Sequence, residues 1–330
     1  MKVKVGIIGC GHMGRTHGAI LRRDERVELM GVMDIDRACA ERLAKELETK
    51  AFDKLDNLLS EGPTAVYVAT PNALHREPVL EALSAGAHVF SEKPMATSLD
   101  EARSILEAVE SSGLIYQIGF NRRFAPVYKF AREQIEKGFT PLSANVKMNR
   151  GELKNPPWVG DTSLTGGFLY ESTIHLLDMI RWLMGEVSEV ICRARANVYK
   201  ELDDFAMLLT FESGYHCAFS SSAHTSWAFP FERIELYGEH AQIVTEEMEK
   251  VTYSPGLGEA VITYDHFQLP AAEKWGYCEE DALFISALLG ERPPAVTALD
   301  GYKAVELAEA VYRSARAGGE AVRLPLEVIL

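Results

Sequence analysis

Basic residues are scarce in this chain: 34 Lys and Arg stand against 48 Asp and Glu, a formal net charge of −14 and a pI near 5.2. A nucleic-acid or anionic-membrane partner demands a basic face that displaces counterions, so neither partner is expected. Cysteine is also sparse. The five (Cys10, Cys39, Cys192, Cys217, Cys278) are odd in number and scattered, with no C-x-x-C spacing. That excludes a zinc site or disulfide framework of the usual spacing and reads as reduced thiols. No H-E-x-x-H occurs, and no metal site is expected. There is no run of about 20 apolar residues to span a bilayer, no internal repeat and no low-complexity linker. Ile7-Ile8-Gly9-Cys10 imitates a lipoprotein cleavage site, but too few residues precede it for a charged region and an apolar core. The expected location is the cytoplasm.

What is present is enough for a sizeable core: 330 residues, 47% hydrophobic and 25% charged, more in keeping with two domains than one. Up to about residue 120, strand-like runs at Lys2–Ile8, Glu28–Met33, Ala65–Ala69, His88–Phe90 and Ile115–Gly119 alternate with stretches of helical periodicity. One such stretch, Ser98–Val109, opens with Ser98 and Glu101 in capping-box spacing. This pattern predicts a doubly wound parallel sheet. Beyond a helix over 124–137, alternating segments dominate: Leu142–Asn149, Val187–Val198, Phe205–Phe211, Tyr215–Ala223 and Arg233–Tyr237. They predict a mostly antiparallel sheet with one face covered. An apolar helix at about Glu171–Met184 interrupts them, and helices over Cys278–Leu289 and Leu299–Ala317 close the chain. The expected division is residues 1–121 as a dinucleotide-binding domain and 122–330 as a substrate-binding and oligomerisation domain. The C-terminal helices are expected to pack back toward the first domain, the whole forming one rigid unit.

The first strand-like run ends in Gly9-Cys10-Gly11-His12-Met13-Gly14, a G-x-G-x-x-G turn that opens a helix-like segment. Such a turn directs bare backbone N–H groups and the positive helix end at a phosphate, and glycine leaves room for the pyrophosphate. Asp34 follows about 20 residues later, at the end of the second run, where a carboxylate accepts the ribose hydroxyls and repels a 2′-phosphate. The next residue, Ile35, is not the arginine that a phosphate would call for, although Arg37 is close by. NAD is therefore favoured over NADP.

Ligands of such sheets bind beyond the carboxyl ends of the strands. There lie Ala69-Thr70-Pro71-Asn72 with His75, and Ser91-Glu92-Lys93-Pro94. Thr70-Pro71-Asn72 alone is an ordinary turn. Lys93, between an apolar strand and a proline, is harder to account for as a surface charge, and its ammonium could hold a substrate hydroxyl. Glu171-x-x-x-His175-x-x-Asp178 places Glu171 and His175 at i, i+4, one turn apart on one helix face. A histidine near a carboxylate suits proton transfer at neutral pH. A histidine satisfied inside an apolar helix fits the same pattern.

Taken together, Gly9–Gly14, Ala69-Thr70-Pro71-Asn72 with His75, Glu92-Lys93-Pro94, Gly119-Phe120-Asn121-Arg122-Arg123-Phe124 and Gly166-Gly167…His175…Asp178 resemble the glucose–fructose oxidoreductase/inositol dehydrogenase/MocA-like family of NAD(P)-dependent oxidoreductases. The resemblance spans nearly the whole chain. It implies an N-terminal Rossmann domain and a C-terminal α/β domain whose large, mostly antiparallel sheet often serves oligomerisation, here as a homodimer or tetramer. It implies cofactor contacts from Gly9, Gly11, His12, Met13, Gly14, Asp34, Ile35, Arg37, Ala69, Thr70, Pro71, Asn72, His75, Glu92, Lys93 and Asn121. It also implies that Lys93 positions a substrate hydroxyl while His175 takes its proton, with Glu171 beside them. Tyr277 and the Arg122-Arg123 pair fall where family members often touch substrate or cofactor, so Arg123 and Tyr277 are expected substrate contacts, as are Asn149 and Trp158. Trp158, in Asn155-Pro156-Pro157-Trp158, would either stack on a sugar face or pack at the domain junction. One position departs: family dehydrogenases of sugars and inositols usually carry Asp four residues before the histidine, and this chain has Glu171.

The activity implied is NAD-dependent oxidation of a secondary hydroxyl of a sugar, inositol or related polyol, or the reverse keto-sugar reduction. An NAD-dependent glycoside hydrolase working by transient oxidation is the alternative. A non-catalytic NAD-binding regulator is disfavoured, since a sensor has no need of both Lys93 and His175.

Overall fold

The computed structural model describes residues 2–153, 157–228 and 230–326. They form two compact units: Met1–Phe120 with Tyr277–Val305, and Asn121–Gly276 with Glu306–Leu330.

In the first unit the chain runs β1 (Val3–Ile8), α1 (His12–Leu21), β2 (Val27–Met33), α2 (Arg37–Leu47), β3 (Ala51–Phe52), α3 (Leu55–Leu59), β4 (Ala65–Val68), α4 (Arg76–Ser84), β5 (His88–Glu92), α5 (Leu99–Ser112) and β6 (Tyr116–Gly119). The six strands lie in the order β3-β2-β1-β4-β5-β6, and every pairing is parallel. The strand order reverses between β1 and β4, which in a doubly wound sheet marks the ligand-binding crevice. Central strands read as continuous apolar runs because both faces are covered: Val5, Ile7, Ala65, Tyr67 and Phe90 are all fully buried. The capping-box helix is α5, where Ser98 Oγ accepts from Glu101 N at 3.3 Å. The two-residue β3 is too short to show periodicity in the sequence.

The second unit begins with a 3₁₀ turn (Asn121–Phe124) and α6 (Pro126–Glu136). The helix read over 124–137 thus starts later, with Pro126 in its first turn, where a missing N–H costs nothing. Then come β7 (Ser143–Asn149), α7 (Thr162–Thr165), a π-helical turn (Leu169–Thr173), α8 (Ile174–Met184), β8 (Val187–Arg195), β9 (Asp204–Phe211), β10 (His216–Ser222), β11 (Glu232–Tyr237), β12 (Gln242–Glu246), β13 (Lys250–Ser254), β14 (Ile262–Asp265) and α9 (Ala271–Lys274). After α10 (Tyr277–Leu288) and α11 (Ala298–Arg316), β15 (Val322–Arg323) completes a nine-stranded sheet, β14-β13-β12-β11-β7-β10-β9-β8-β15. Among the described residues of this sheet only β7 and β10 pair in parallel. Phe205, Met207, Leu209 and Phe211 of β9 are buried while the alternate Ala206 and Leu208 are exposed, so one face is covered.

Two sequence expectations need correction here. The strand read to Val198 stops at Arg195, because the N–H groups of Asn197, Val198 and Tyr199 turn onto the carboxylate of buried Asp203 at 2.7–2.9 Å. The segment read as one α-helix from Glu171 begins instead in the π turn, where Ile174 N reaches back five residues to Leu169 O. From Ser172 to Arg181 every residue is buried, so no exposed stripe marks the change of period.

Candidate functional site

The glycine turn is built by three glycines with three different reasons. Gly9 sits at φ +95°, and a Cβ there would lie 2.5 Å from Ala69 O. Gly14 lets α1 press on the end of β1: a Cβ would stand 1.9 Å from Gly9 O. Gly11 has an ordinary φ of −72°, and a Cβ would meet nothing within 4 Å. The fold does not require glycine at 11, so the open space above it is what the residue preserves. No side chain caps α1, which leaves the N–H groups of His12 and Met13 for an anion.

Asp34 closes the other side. Its Oδ2 accepts from Cys10 N at 2.8 Å and its Oδ1 from Asp36 N at 2.9 Å, fixing the carboxylate between β1 and β2. A carboxylate has about four acceptor sites, and two backbone bonds leave capacity for a ribose diol. Ile35 is 86% exposed, an apolar surface beside that carboxylate. Arg37 is a surface residue bonded to Glu41 at 2.8 Å. This cradle fits a dinucleotide with an unphosphorylated ribose.

At the ends of β4 and β5, His75 is buried and ties two predicted segments together. Its Nε2 lies 2.8 Å from Thr70 O and its Nδ1 2.7 Å from Pro94 O. Burial pushes its pKa down against the pull of these carbonyls. Thr70 Oγ1 donates to Leu74 O at 3.0 Å, and Asn72 is buried in the intervening turn. Glu92 is buried, and its Oε2 accepts from Lys93 N at 3.1 Å. Lys93 is half-buried and joined to Pro94 by a cis peptide. Two residues of the network here were missed in the sequence, His17 and Asp281, and no local spacing signals them.

In the second unit the structure gathers a different set. Glu171 Oε2 accepts from Arg150 at 2.5 Å and from Ser172 Oγ at 2.6 Å. Arg150, 2% exposed, lies over the rings of Phe168 at 4.9 Å and Trp227 at 5.7 Å. The extra methylene of Glu171 is thus accommodated by an arginine that sequence reading did not single out. His175 is buried in the first turn of α8. Asp178, one turn on, takes both prongs of Arg123 at 2.5 and 2.8 Å. Arg122 is likewise forked onto buried Glu232 at 2.8 and 2.9 Å, and Tyr128 donates to the same carboxylate at 2.8 Å. Asn121 Nδ2 donates to Trp275 O at 2.8 Å.

Asn149 ends β7, and its buried Oδ1 has no hydrogen-bond donor. An unsatisfied buried acceptor costs about 1–3 kcal/mol, so this atom is suited to receive a ligand hydroxyl. Trp158 lies half-buried in a short 3₁₀ turn, Pro157–Gly160, whereas Asn155 and Pro156 lie outside the described residues. Tyr277 opens α10, its ring edge-on to that of His17 at 6.0 Å. Lys93 belongs to the first unit and His175 to the second. Among the described residues no group of three or more His, Cys, Asp or Glu is placed to hold a metal ion, and no helix is long and apolar enough to cross a membrane.

Comparison with known proteins agrees with this geometry. Residues 3–120 match the model of the oxidoreductase family, NAD-binding Rossmann fold, and residues 132–324 that of the oxidoreductase family, C-terminal alpha/beta domain. An uncharacterized oxidoreductase of Bacillus subtilis is 29% identical over 95% of this chain and 94% of its own. A myo-inositol 2-dehydrogenase of Thermotoga maritima is 28% identical over 94% of this chain and 96% of its own. The crystal structure of GenD2 from gentamicin A biosynthesis, in complex with NAD, superposes with a TM-score of 0.85 at 25% identity, covering 98% of this chain and 97% of that one. With both of its halves matched in order, and a glycine turn and acidic residue shaped for NAD, the chain belongs to the glucose–fructose oxidoreductase/inositol dehydrogenase/MocA-like family of NAD-binding oxidoreductases.

Proposed function

We propose that this protein oxidises a secondary hydroxyl of an inositol, sugar or related polyol at the expense of NAD, or runs the reverse reduction. The observation that carries the reading is the open space kept by Gly11 beside the fixed carboxylate of Asp34. Support also comes from the full-length likeness to a myo-inositol 2-dehydrogenase. NAD bound in this cradle supplies the hydride acceptor. The rest is the work of this chain's residues. Backbone N–H groups of His12 and Met13 bind the pyrophosphate, Asp34 accepts the ribose hydroxyls, and Ile35 offers an apolar face to the adenine. Lys93 Nζ donates to the oxygen of the reacting hydroxyl, and His175 takes its proton as the C–H bond is broken. Asn149 Oδ1 accepts from a second hydroxyl. Glu171, ion-paired with Arg150, acts by charge and position.

A panel of inositols and sugars incubated with NAD or NADP, followed by nicotinamide absorbance, tests the proposal. Stoichiometric NADH with at least one polyol is expected; product without net NADH would point to transient oxidation, and a preference for NADP would contradict the role of Asp34. We further propose that the chain works as a homo-oligomer in the cytoplasm, assembled through the open face of the nine-stranded sheet.

A further inference from the structure

His17, in the second turn of α1, is 0% exposed. It is boxed by the rings of Phe90 at 5.0 Å, Tyr67 at 5.3 Å and Tyr277 at 6.0 Å. Both of its nitrogens face carboxylates: Nδ1 is 2.8 Å from Asp281 Oδ1, and Nε2 is 3.0 Å from Glu92 Oε1. An ionised carboxylate only accepts, so an imidazole bonded on both sides donates from both nitrogens and is the cation. Burial alone would strip its proton, and the two acids overcome this and raise its pKa well above the ordinary value. Glu92 uses its other oxygen to hold Lys93 N at 3.1 Å. One buried cation thus links three segments: the helix that follows the glycine turn, the strand end that carries Lys93, and the first turns of α10. Facing it are Asp281 and Tyr277 from α10, Glu92 from β5 and Tyr67 from β4.

We propose that His17 is a positioning residue: its imidazolium fixes Glu92, and through Glu92 the backbone of Lys93, relative to the helix of the NAD cradle. The inference rests on the reading of Lys93 given above. The chain from Asp281 through His17 to Glu92 is buried and charge-assisted, so it holds these parts more stiffly than a neutral contact would. A shift of about 1 Å at a catalytic group can cost on the order of a hundredfold in rate.

The test uses the full-length protein with His17→Gln and Asp281→Asn. Glutamine carries both N–H donors on one nitrogen and no charge, so it cannot replace an imidazolium that donates from two separate ring nitrogens. With the polyol that the wild type oxidises, kcat is therefore expected to fall at least tenfold. The dissociation constant for NADH, read by fluorescence without polyol, is expected to stay within threefold. Asp281→Asn keeps the shape but withdraws one anion from the imidazolium, which then loses its proton at lower pH. The alkaline limb of the rate profile should move toward neutral pH. A kcat within twofold of wild type for His17→Gln, or parallel losses of kcat and NADH affinity, would reduce His17 to a scaffold residue. If His17→Gln does not fold, the near-isosteric Asp281→Asn decides by its pH profile. A readout independent of turnover is the ¹³C signal of reductively methylated Lys93, assigned by its loss in Lys93→Arg. It should move in both variants, and an unmoved signal overturns the inference even where no polyol is a substrate.

Discussion

Gly11 and Gly14 serve different ends although they are only three residues apart in sequence. A methyl at 14 collides with Gly9 O at 1.9 Å, whereas a methyl at 11 enters open space. Gly14→Ala should therefore destabilise the first unit by about 3 kcal/mol, the scale of forced overpacking. Gly11→Ala should leave the melting temperature nearly unchanged and weaken NADH at least tenfold. Thermal melts paired with fluorescence titration separate the two, and a Gly11→Ala protein that binds NADH like wild type would remove the cradle's main support. The sequence alone marks both glycines as part of one motif. It does not say which serves packing and which serves the ligand, because that depends on Ala69 and Gly9 backbone atoms across the turn. Glu171 raises a similar question. Its spacing to His175 is legible, but its partner Arg150 sits 21 residues away, just past the end of β7. Glu171→Asp would withdraw the carboxylate by about one methylene, roughly 1.5 Å. The Arg150 guanidinium, 3% exposed, would then lose its charged partner. A loss of about 1–3 kcal/mol in urea titrations is expected, together with a drop in kcat, even though Asp is the residue usual in the family. Unchanged stability would show that Arg150 does not depend on the longer side chain.

At the scale of elements, long periodic segments were legible and the short or aperiodic ones were not. The capping box of α5 and the central strands of the parallel sheet stand in the sequence because their signals are local. β12 to β14 escape the sequence reading because each is only four or five residues long, too short for an alternation to stand out. The α-helix read from Glu171 takes in the last three residues of the π turn at Leu169–Thr173, where nothing in the local spacing separates the two periods. Its shape is set from outside. Leu169 N donates to Tyr312 Oη at 3.2 Å, and Gly167, at φ +107°, leaves that hydroxyl room that a Cβ 2.5 Å away would fill. Tyr312→Phe removes this acceptor and leaves a buried N–H unpaired at the start of the turn that carries Glu171. The expected cost is about 1–2 kcal/mol. If the turn is held from this point, kcat should fall as well, while NADH affinity stays as it is. A variant equal to wild type in both stability and kcat would show that the turn maintains itself.

For the molecule as a whole, the open face of the nine-stranded sheet is the feature that the monomer leaves unexplained. Along it Ile191 is 37% and Leu208 43% exposed, with the small side chains of Ala206 and Ala218 between. Lys147, Arg193, Arg233 and Glu235 line the same surface, with Arg233 paired to Glu235 at 2.6 Å, so charges of both signs border the apolar strip. Apolar strand residues facing water are costly at this breadth unless something covers them. A second copy meeting this face would have to remove roughly 800 Å² per partner from water to be stable, and a sheet of nine strands is broad enough to offer it. Leu208→Glu should then leave the monomer's own fold intact, since the side chain points away from the buried face and surface changes cost within about 0.5 kcal/mol. The same glutamate in an apolar contact would be an unpaired buried charge on both copies. Light scattering should show the wild type as a dimer or tetramer and Leu208→Glu shifted to a smaller species at equal concentration. A wild type that runs as a monomer, or a variant with unchanged mass, would separate this face from assembly.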